Sequence, residues 1–182
     1  SAELGSTKAD LLVSEIFDSG LVGEGALLSL RHAAVHLLKP GGQMIPSAAT
    51  IFVQLVSVTA PQHAKLTLDA LDVLRQGCTA ARLHTLSHCM LSPAVSVRRL
   101  EFCAATSDCL NECRVRMTAQ RAGCCNALTW WFVLHLDEAT SLSAAPGSNV
   151  RTWKQNICYL TLPMELKADD EVEVVVRNDS GY

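Results

Sequence analysis

Two carboxylates, Glu15 and Glu24, bracket a loop that directly follows the apolar segment 10–13. Glycines allow sharp backbone turns without steric cost, and the loop contains Gly20, Gly23 and Gly25. Acids that follow a strand of an α/β sheet lie where such folds usually bind ligands. Together, two carboxylates at that position could hold one planar cation, such as a guanidinium, through charge-assisted hydrogen bonds.

The same acids have simpler interpretations. One glutamate could cap the helix that follows the loop while the other is merely solvated. Asp18, between them, could be a third acid of the site or an Asx-type turn residue. The loop by itself leaves these alternatives open.

The composition is typical of a globular protein. Of the 182 residues, 49% are hydrophobic and 18% are charged, and the formal net charge is −3. A nucleic-acid-binding protein is expected to have an excess of basic residues, which this chain does not have. No apolar run approaches the roughly 20 residues that a membrane-spanning helix needs. We therefore expect no direct association with nucleic acids or with membranes.

The eight cysteines are scattered along the chain, several of them within apolar segments. A chain of this length can build a core without disulfides, so we expect reduced and mostly buried thiols. Reduced thiols in turn predict a protein of the cytoplasm or the nucleus.

Hydrophobic patterns predict two unlike parts. Residues 1–46 are typical of the end of an α/β unit, with a strand at 10–13 and a helix over about 25–38. The segment 39–42 (Lys-Pro-Gly-Gly) predicts the end of the helix and a turn. A further strand is expected to begin at 43–46.

Residues 47–182 are predicted to be mostly β. An apolar helix face is expected up to residue 76, residues 77–92 fit no single pattern, and 143–149 indicates a turn or loop. Segments with strand composition, several with apolar–polar alternation, are 50–58, 95–102, 113–118, 128–136, 156–162 and 171–176. The predicted class is therefore α+β.

Possible metal ligands and one aromatic residue are ambiguous. His84 and His88, or Cys109 and Cys113, could bind zinc if their segments were helical, but neither spacing matches a zinc signature. We therefore expect surface histidines, buried thiols and no metal site. Trp153 follows a loop, and its ring could equally contact a ligand or pack in the core.

Several ordered motifs resemble the protein arginine methyltransferase family. Residues 8–15 (Lys-Ala-Asp-Leu-Leu-Val-Ser-Glu), followed by Glu24, are similar to the family's double-E loop with the same offset. Residues 17–26 look most like its type III, monomethylating branch, and residues 39–46 resemble the crossing into its β-barrel. Further family motifs recur in order within 131–137, 142–146, 152–156 and 168–170.

The resemblance implies the architecture. Residues 1–46 would be the C-terminal end of a Rossmann-like methyltransferase domain that carries the double-E loop. Residues 47–182 would be a β-barrel-like substrate-binding domain, with a helical dimerisation arm inserted at about 60–92. The expected assembly is a homodimer or a pseudo-dimer with a related module.

The resemblance also implies the chemistry, which is methyl transfer from S-adenosylmethionine to an arginine ω-nitrogen of a protein substrate. Glu15 and Glu24 would be the catalytic clamp on the guanidinium. Asp18, Thr152 and Trp153 would contact the substrate.

Two departures from the family pattern matter. The family's glycine-rich cofactor loop and its ribose-binding acid belong upstream of residue 1, which implies a fragment or a degenerate copy that is inactive alone. Thr152 occupies the histidine position of the family's Thr-His-Trp loop. The alternatives to an enzyme are therefore an inactive regulatory partner of an active relative and a module that binds arginine-rich peptides.

Overall fold

A computed structural model describes residues 8–59, 77–103 and 112–177. Within these ranges strands predominate, with one α-helix and one short 3-10 turn. None of the described helical residues forms a segment long and apolar enough to span a membrane. The predicted helix face ending at residue 76 falls on 60–76, outside the described residues.

The N-terminal unit consists of β1 (Ala9–Val13), α1 (Ala26–His36) and β2 (Leu38–Ile45). β1 and β2 pair in parallel, an arrangement that needs a crossover between the strands, here containing the helix. α1 begins after Gly25, whose φ of 73° lies in the left-handed region that glycine adopts without strain. The predicted strand and helix are thus both present.

The segment 39–42 differs from the prediction. The helix already ends at His36, and the Lys-Pro-Gly-Gly run lies within β2 rather than in a turn before it. The register of the pairing between β1 and β2 shifts at this place, from Ala9 opposite Leu38 to Leu11 opposite Gln43. The run therefore forms an irregularity inside a paired strand, because pairing with β1 overrides the local turn propensity.

A seven-stranded sheet forms the larger part of the fold. Its central strands are β3 (Ala48–Val58) and β8 (Gly123–His135), which pair antiparallel from Ala48 opposite His135 to Val56 opposite Ala127. The other strands are β4 (Cys78–Ala81), β5 (His88–Met90), β6 (Val95–Glu101), β9 (Ser141–Ser143) and β10 (Gln155–Leu166). The order is β4–β10–β8–β3–β5, with β6 also paired to β3 and β9 to β8.

A separate antiparallel pair is formed by β7 (Cys113–Thr118) and β11 (Glu171–Val176). Both strands have the predicted bounds, because alternation of apolar and polar residues marks a half-buried strand clearly. Met117 and Val174 from this pair join the buried cluster that contains Leu55 of β3.

Two strands extend by four or five residues beyond their predicted ends. β8 begins at Gly123 rather than at 128, and β10 continues to Leu166 rather than ending at 162. The short strand β9 lies partly in the predicted loop at 143–149. It forms by pairing with the end of β8, a tertiary contact that local composition does not reveal.

The described part of the predicted helical insertion at 60–92 is not helical. Residues 77–92 contain β4, a 3-10 turn at Leu83–Thr85 and β5. β4 pairs with β10 and β5 pairs with β3. Hydrogen bonding to the sheet thus determines the secondary structure of this segment, whose local pattern was ambiguous. The prediction of a helical insertion is wrong for residues 77–92.

The expectation of mostly buried thiols is wrong for the described cysteines. They are all free, and only Cys125 is buried, whereas Cys78 and Cys103 are exposed. Strand residues alternate between the two faces of a sheet, so an apolar segment does not bury each of its cysteines. Burial and the neighbouring Cys78 thiol raise the pKa of Cys158 to about 12.

Candidate functional site

The acidic loop, residues 14–25, connects β1 to α1. Its apolar side chains Phe17 and Leu21 are 4% and 0% exposed, whereas Glu15 and Glu24 are both exposed. Phe17 and Leu21 belong to the buried cluster that also contains Phe132 of the central sheet. The loop is therefore anchored in the core by its apolar side chains and leaves both carboxylates in solvent.

Asp18 closes the acidic loop from within. Its Oδ1 accepts a hydrogen bond from the backbone N–H of Gly23 at 3.1 Å, and its carbonyl oxygen accepts one from the N–H of Leu21 at 3.0 Å. An aspartate that binds nearby backbone N–H groups stabilises a turn. The structure thus supports a turn-forming role for Asp18, and its contact with a substrate stays a prediction.

Gly23→Ala is expected to open this closure. A Cβ at Gly23 would lie 2.3 Å from Oδ2 of Asp18, so the carboxylate would have to move and the hydrogen bond would be lost. We expect a loss of about 1–2 kcal/mol in the free energy of unfolding, measured by urea denaturation. Gly77→Ala is the control, because no atom of the described residues lies within 4 Å of a Cβ at Gly77. Equal effects of the two substitutions would contradict this role of Asp18.

Residues just before β10 and at its start bind the acidic loop from the side of the sheet. Nε1 of Trp153 donates a hydrogen bond to the carbonyl oxygen of Phe17 at 2.7 Å. The backbone N–H of Lys154 donates to Oγ of Ser19 at 3.0 Å, and Nδ2 of Asn156 donates to the carbonyl oxygen of Ser19 at 2.6 Å. Three hydrogen bonds therefore fix the middle of the loop against a segment far away in sequence.

Trp153 packs in the core. Trp153 is only 5% exposed. The centroid of its ring lies 5.2 Å from that of Phe132, in an edge-on arrangement. Beside it, the rings of Phe17 and Phe102 stack at 5.4 Å. Of the two interpretations left open by the sequence, core packing is observed, and contact between this ring and a substrate stays a prediction.

Three of the predicted site residues have side chains without a polar partner among the described residues. Glu15, Glu24 and Thr152 are exposed, and their side chains form no hydrogen bond or ion pair with any other residue that the structure describes. Next to Glu15, the hydroxyl of Ser14 is buried and also lacks a partner among the described residues. The carboxylates are thus free to bind a ligand, and Thr152 is not tied to the acidic loop.

Sequence reasoning missed the residues that position the acidic loop. Ser19 and Asn156 were not predicted as site residues, although Asn156 lies in the 152–156 motif. A polar residue that becomes 7% exposed inside a strand is a signal of a specific hydrogen bond. That signal appears only when burial is known.

The candidate metal ligands do not come together. His84 lies in the 3-10 turn and His88 in β5, so they share no helical face, and Cys113 on β7 donates its S–H to the carbonyl of Val97. Cys109 lies outside the described residues. In the part of the chain that is described, no three side chains are grouped to hold a metal ion.

The comparisons with known proteins agree with this architecture. Residues 47–180 match the family model described as the arginine methyltransferase oligomerization subdomain. The chain is 36% identical over 171 residues to an arginine N(omega)-methyltransferase of Streptomyces achromogenes subsp. streptozoticus, covering 88% of this chain and 46% of that protein. It is 24% identical over 200 residues to protein arginine N-methyltransferase 7 of Danio rerio, covering 94% of this chain and 29% of that protein.

Among solved structures, the fold is similar to that of a chain in the Trypanosoma brucei PRMT1 enzyme–prozyme heterotetrameric complex with AdoHcy. The TM-score is 0.78 at 18% sequence identity, over 93% of this chain and 58% of that chain. The chain spans about half or less of the length of these two curated relatives. Because the family model covers most of the sequence, this protein belongs to the arginine methyltransferase family.

Proposed function

We propose that the protein takes part in methyl transfer from S-adenosylmethionine to an arginine ω-nitrogen of a protein substrate. The observation that carries this proposal is a pair of exposed carboxylates, those of Glu15 and Glu24, on a loop that the core holds in place. Neither carboxylate has a polar partner among the described residues. Carboxylates on a fixed loop suit a guanidinium, which has five N–H donors in a rigid plane.

The acidic loop would bind and orient the arginine. Each carboxylate would accept charge-assisted hydrogen bonds, worth about 1.5–3 kcal/mol apiece. Drawing positive charge toward the bound nitrogens leaves the attacking nitrogen with a more available lone pair. Holding that nitrogen in line is a proximity effect that can contribute about 7–11 kcal/mol in favourable cases.

S-adenosylmethionine would supply the electrophilic methyl group. The carboxylates of the acidic loop suit the arginine rather than the adenosine end of that molecule. We propose that the adenosine-binding motifs belong to sequence upstream of residue 1, as the resemblance implies, and that the domain boundary lies between residues 46 and 47. The start of the family match at residue 47 supports the boundary.

The type III, monomethylating branch is the proposed subgroup, on the resemblance of residues 17–26. The proposed assembly is a homodimer or a pseudo-dimer with a related module, supported by the match to an oligomerization subdomain. The cytoplasm or the nucleus is the proposed location, since the exposed thiols of Cys78 and Cys103 suit a reducing compartment.

A second candidate is an inactive partner subunit of an active methyltransferase. Thr152, in place of the family's histidine, favours it, and the Trypanosoma brucei complex is described as containing a prozyme. A module that binds arginine-rich peptides without transfer is the third reading.

Mass spectrometry of methylarginine tests the proposal. We expect the protein in its natural full length to methylate an arginine-rich peptide and not the same peptide with lysine in place of arginine. Peptide binding without any methylarginine would favour the inactive partner instead. Isothermal titration of the 182-residue chain with S-adenosylhomocysteine should show no binding, and micromolar affinity would contradict an upstream cofactor site.

A further inference from the structure

A groove of about 580 Å³ lies between the 3-10 turn and the connection from β9 to β10. Arg82, His84 and Arg151 contribute its basic side chains, Ser148 and Asn149 contribute polar ones, and none of the described residues that line it is acidic. None of its described lining residues belongs to the acidic loop, and nothing in the proposed mechanism uses the groove.

The walls of the groove are fixed by hydrogen bonds. Nη2 of Arg82 donates to the carbonyl oxygen of Arg151 at 2.5 Å and so joins the two sides. Gln155, only 5% exposed, accepts a bond from the N–H of Leu83 at 2.9 Å and donates to the carbonyl of Ala144 at 2.8 Å. The guanidinium of Arg82 and the backbone of Arg151 are therefore held by hydrogen bonds, and an ordered wall lowers the entropic cost of binding.

The charge of the groove is opposite to that of the whole chain. The chain carries a formal charge of −3, yet two guanidinium groups face one groove, and no described carboxylate forms an ion pair with Arg82 or Arg151. Arginine binds carboxylates and phosphates through paired, charge-assisted hydrogen bonds. The chemistry of the groove therefore selects an anionic ligand.

The groove shares a segment with the support of the acidic loop. Arg151 and Gln155 line the groove, and between them Trp153 and Lys154 bind the acidic loop. One segment, 151–155, therefore contacts both surfaces. A chain bound in the groove would lie against the same segment that supports the proposed arginine clamp.

We propose that this groove binds an acidic segment of the protein substrate whose target arginine is held by Glu15 and Glu24. As an account of substrate choice, it rests on the proposed function. The volume exceeds that of a single carboxylate or phosphate and suits several residues of an extended chain.

Fluorescence anisotropy with arginine-free peptides tests the groove directly. The probe is a labelled Gly-Ser peptide with four aspartates, and its reference is the same peptide with four asparagines. We expect the 182-residue chain to bind the aspartate peptide at least about tenfold more tightly, and the binding to weaken as salt rises because the ion pairs are exposed. Equal affinity for the two peptides would overturn the proposal.

Substitutions locate the binding. Arg151→Gln and Arg82→Gln should each weaken binding of the aspartate peptide about twofold to fivefold. Arg151→Gln keeps the wall intact, because the bond from Arg82 uses only the backbone carbonyl of Arg151. Arg116→Gln, an exposed residue on β7, is the control and should change nothing, and an equal loss there would show unspecific attraction.

Two further outcomes distinguish the ligand and the function. Inorganic phosphate that displaces the aspartate peptide at equal concentration would make the groove a small-anion site and overturn the peptide assignment. The probes contain no arginine and need no methyl donor, so failure here leaves the arginine clamp of Glu15 and Glu24 intact. Failure of methyl transfer, conversely, leaves this binding result standing.

Discussion

Glu24→Gln should lower the rate of arginine methylation by about a hundredfold in the natural full-length protein. The amide keeps the shape of the side chain but removes the charge that holds the guanidinium, and a charge-assisted hydrogen bond is worth about 1.5–3 kcal/mol. Glu24 is exposed and has no partner among the described residues. The measurement is the initial rate of methylarginine formation at saturating methyl donor.

The controls for Glu24→Gln separate chemistry from folding. Glu138→Gln, an exposed glutamate outside the acidic loop, should leave the rate unchanged. Because the Glu24 side chain is exposed and forms no hydrogen bond or ion pair with the described residues, its substitution should leave the midpoint of thermal unfolding unchanged. Near-normal turnover, or a loss of turnover accompanied by unfolding, would refute the assignment of Glu24. Glu15→Gln should behave in the same way.

Trp153→Phe is expected to loosen the acidic loop and to destabilise the chain by about 1–3 kcal/mol. The phenyl ring fills part of the space but cannot donate to the buried carbonyl of Phe17, which then lacks its partner. Trp153→Ala should cost more, about 3–5 kcal/mol, because it also removes the edge-on contact with Phe132 and leaves a cavity. Urea denaturation of the 182-residue chain measures both losses.

Hydrogen exchange shows whether Trp153 positions the loop or only stabilises the core. In Trp153→Phe, amides of residues 15–24 should exchange faster than in the unaltered chain, while amides of β3 change less. Lys154→Ala is a matched control, because Lys154 holds Ser19 through its backbone N–H and the substitution keeps that donor. Uniform acceleration across the chain, or none in the loop, would contradict a positioning role.

Both predictions follow from the different roles of exposed and buried residues at the site. Glu15 and Glu24 are exposed and form no hydrogen bond or ion pair with the described residues, so their substitution should affect binding and chemistry alone. Trp153 and Asn156 are buried and bind the acidic loop, so their substitution should affect stability first. The comparison of rates with unfolding free energies therefore distinguishes clamp residues from supporting ones.

Sequence patterns predicted the elements whose signal is local. The alternation in β7 and β11 gave the observed bounds, since one face of each strand is buried and the other is exposed. The helical spacing of α1 and the strand before it were also predicted. Elements that depend on pairing were less predictable: the segment 39–42 lies in a strand, and residues 77–92 form strands on the sheet rather than a helix.

The sequence by itself determined the chemistry of the acidic loop: two carboxylates at a fixed spacing, with glycines that let the backbone turn. Residue type and spacing are properties of the chain and need no fold to be read. The structure decided between the two interpretations of Asp18, which closes the loop through Gly23, and only the tertiary structure showed that Trp153 supports the loop from the core. Trp153 and Phe17 lie 136 residues apart. Burial and hydrogen bonds between such distant segments arise when the sheet brings them together, so no local pattern could have revealed them.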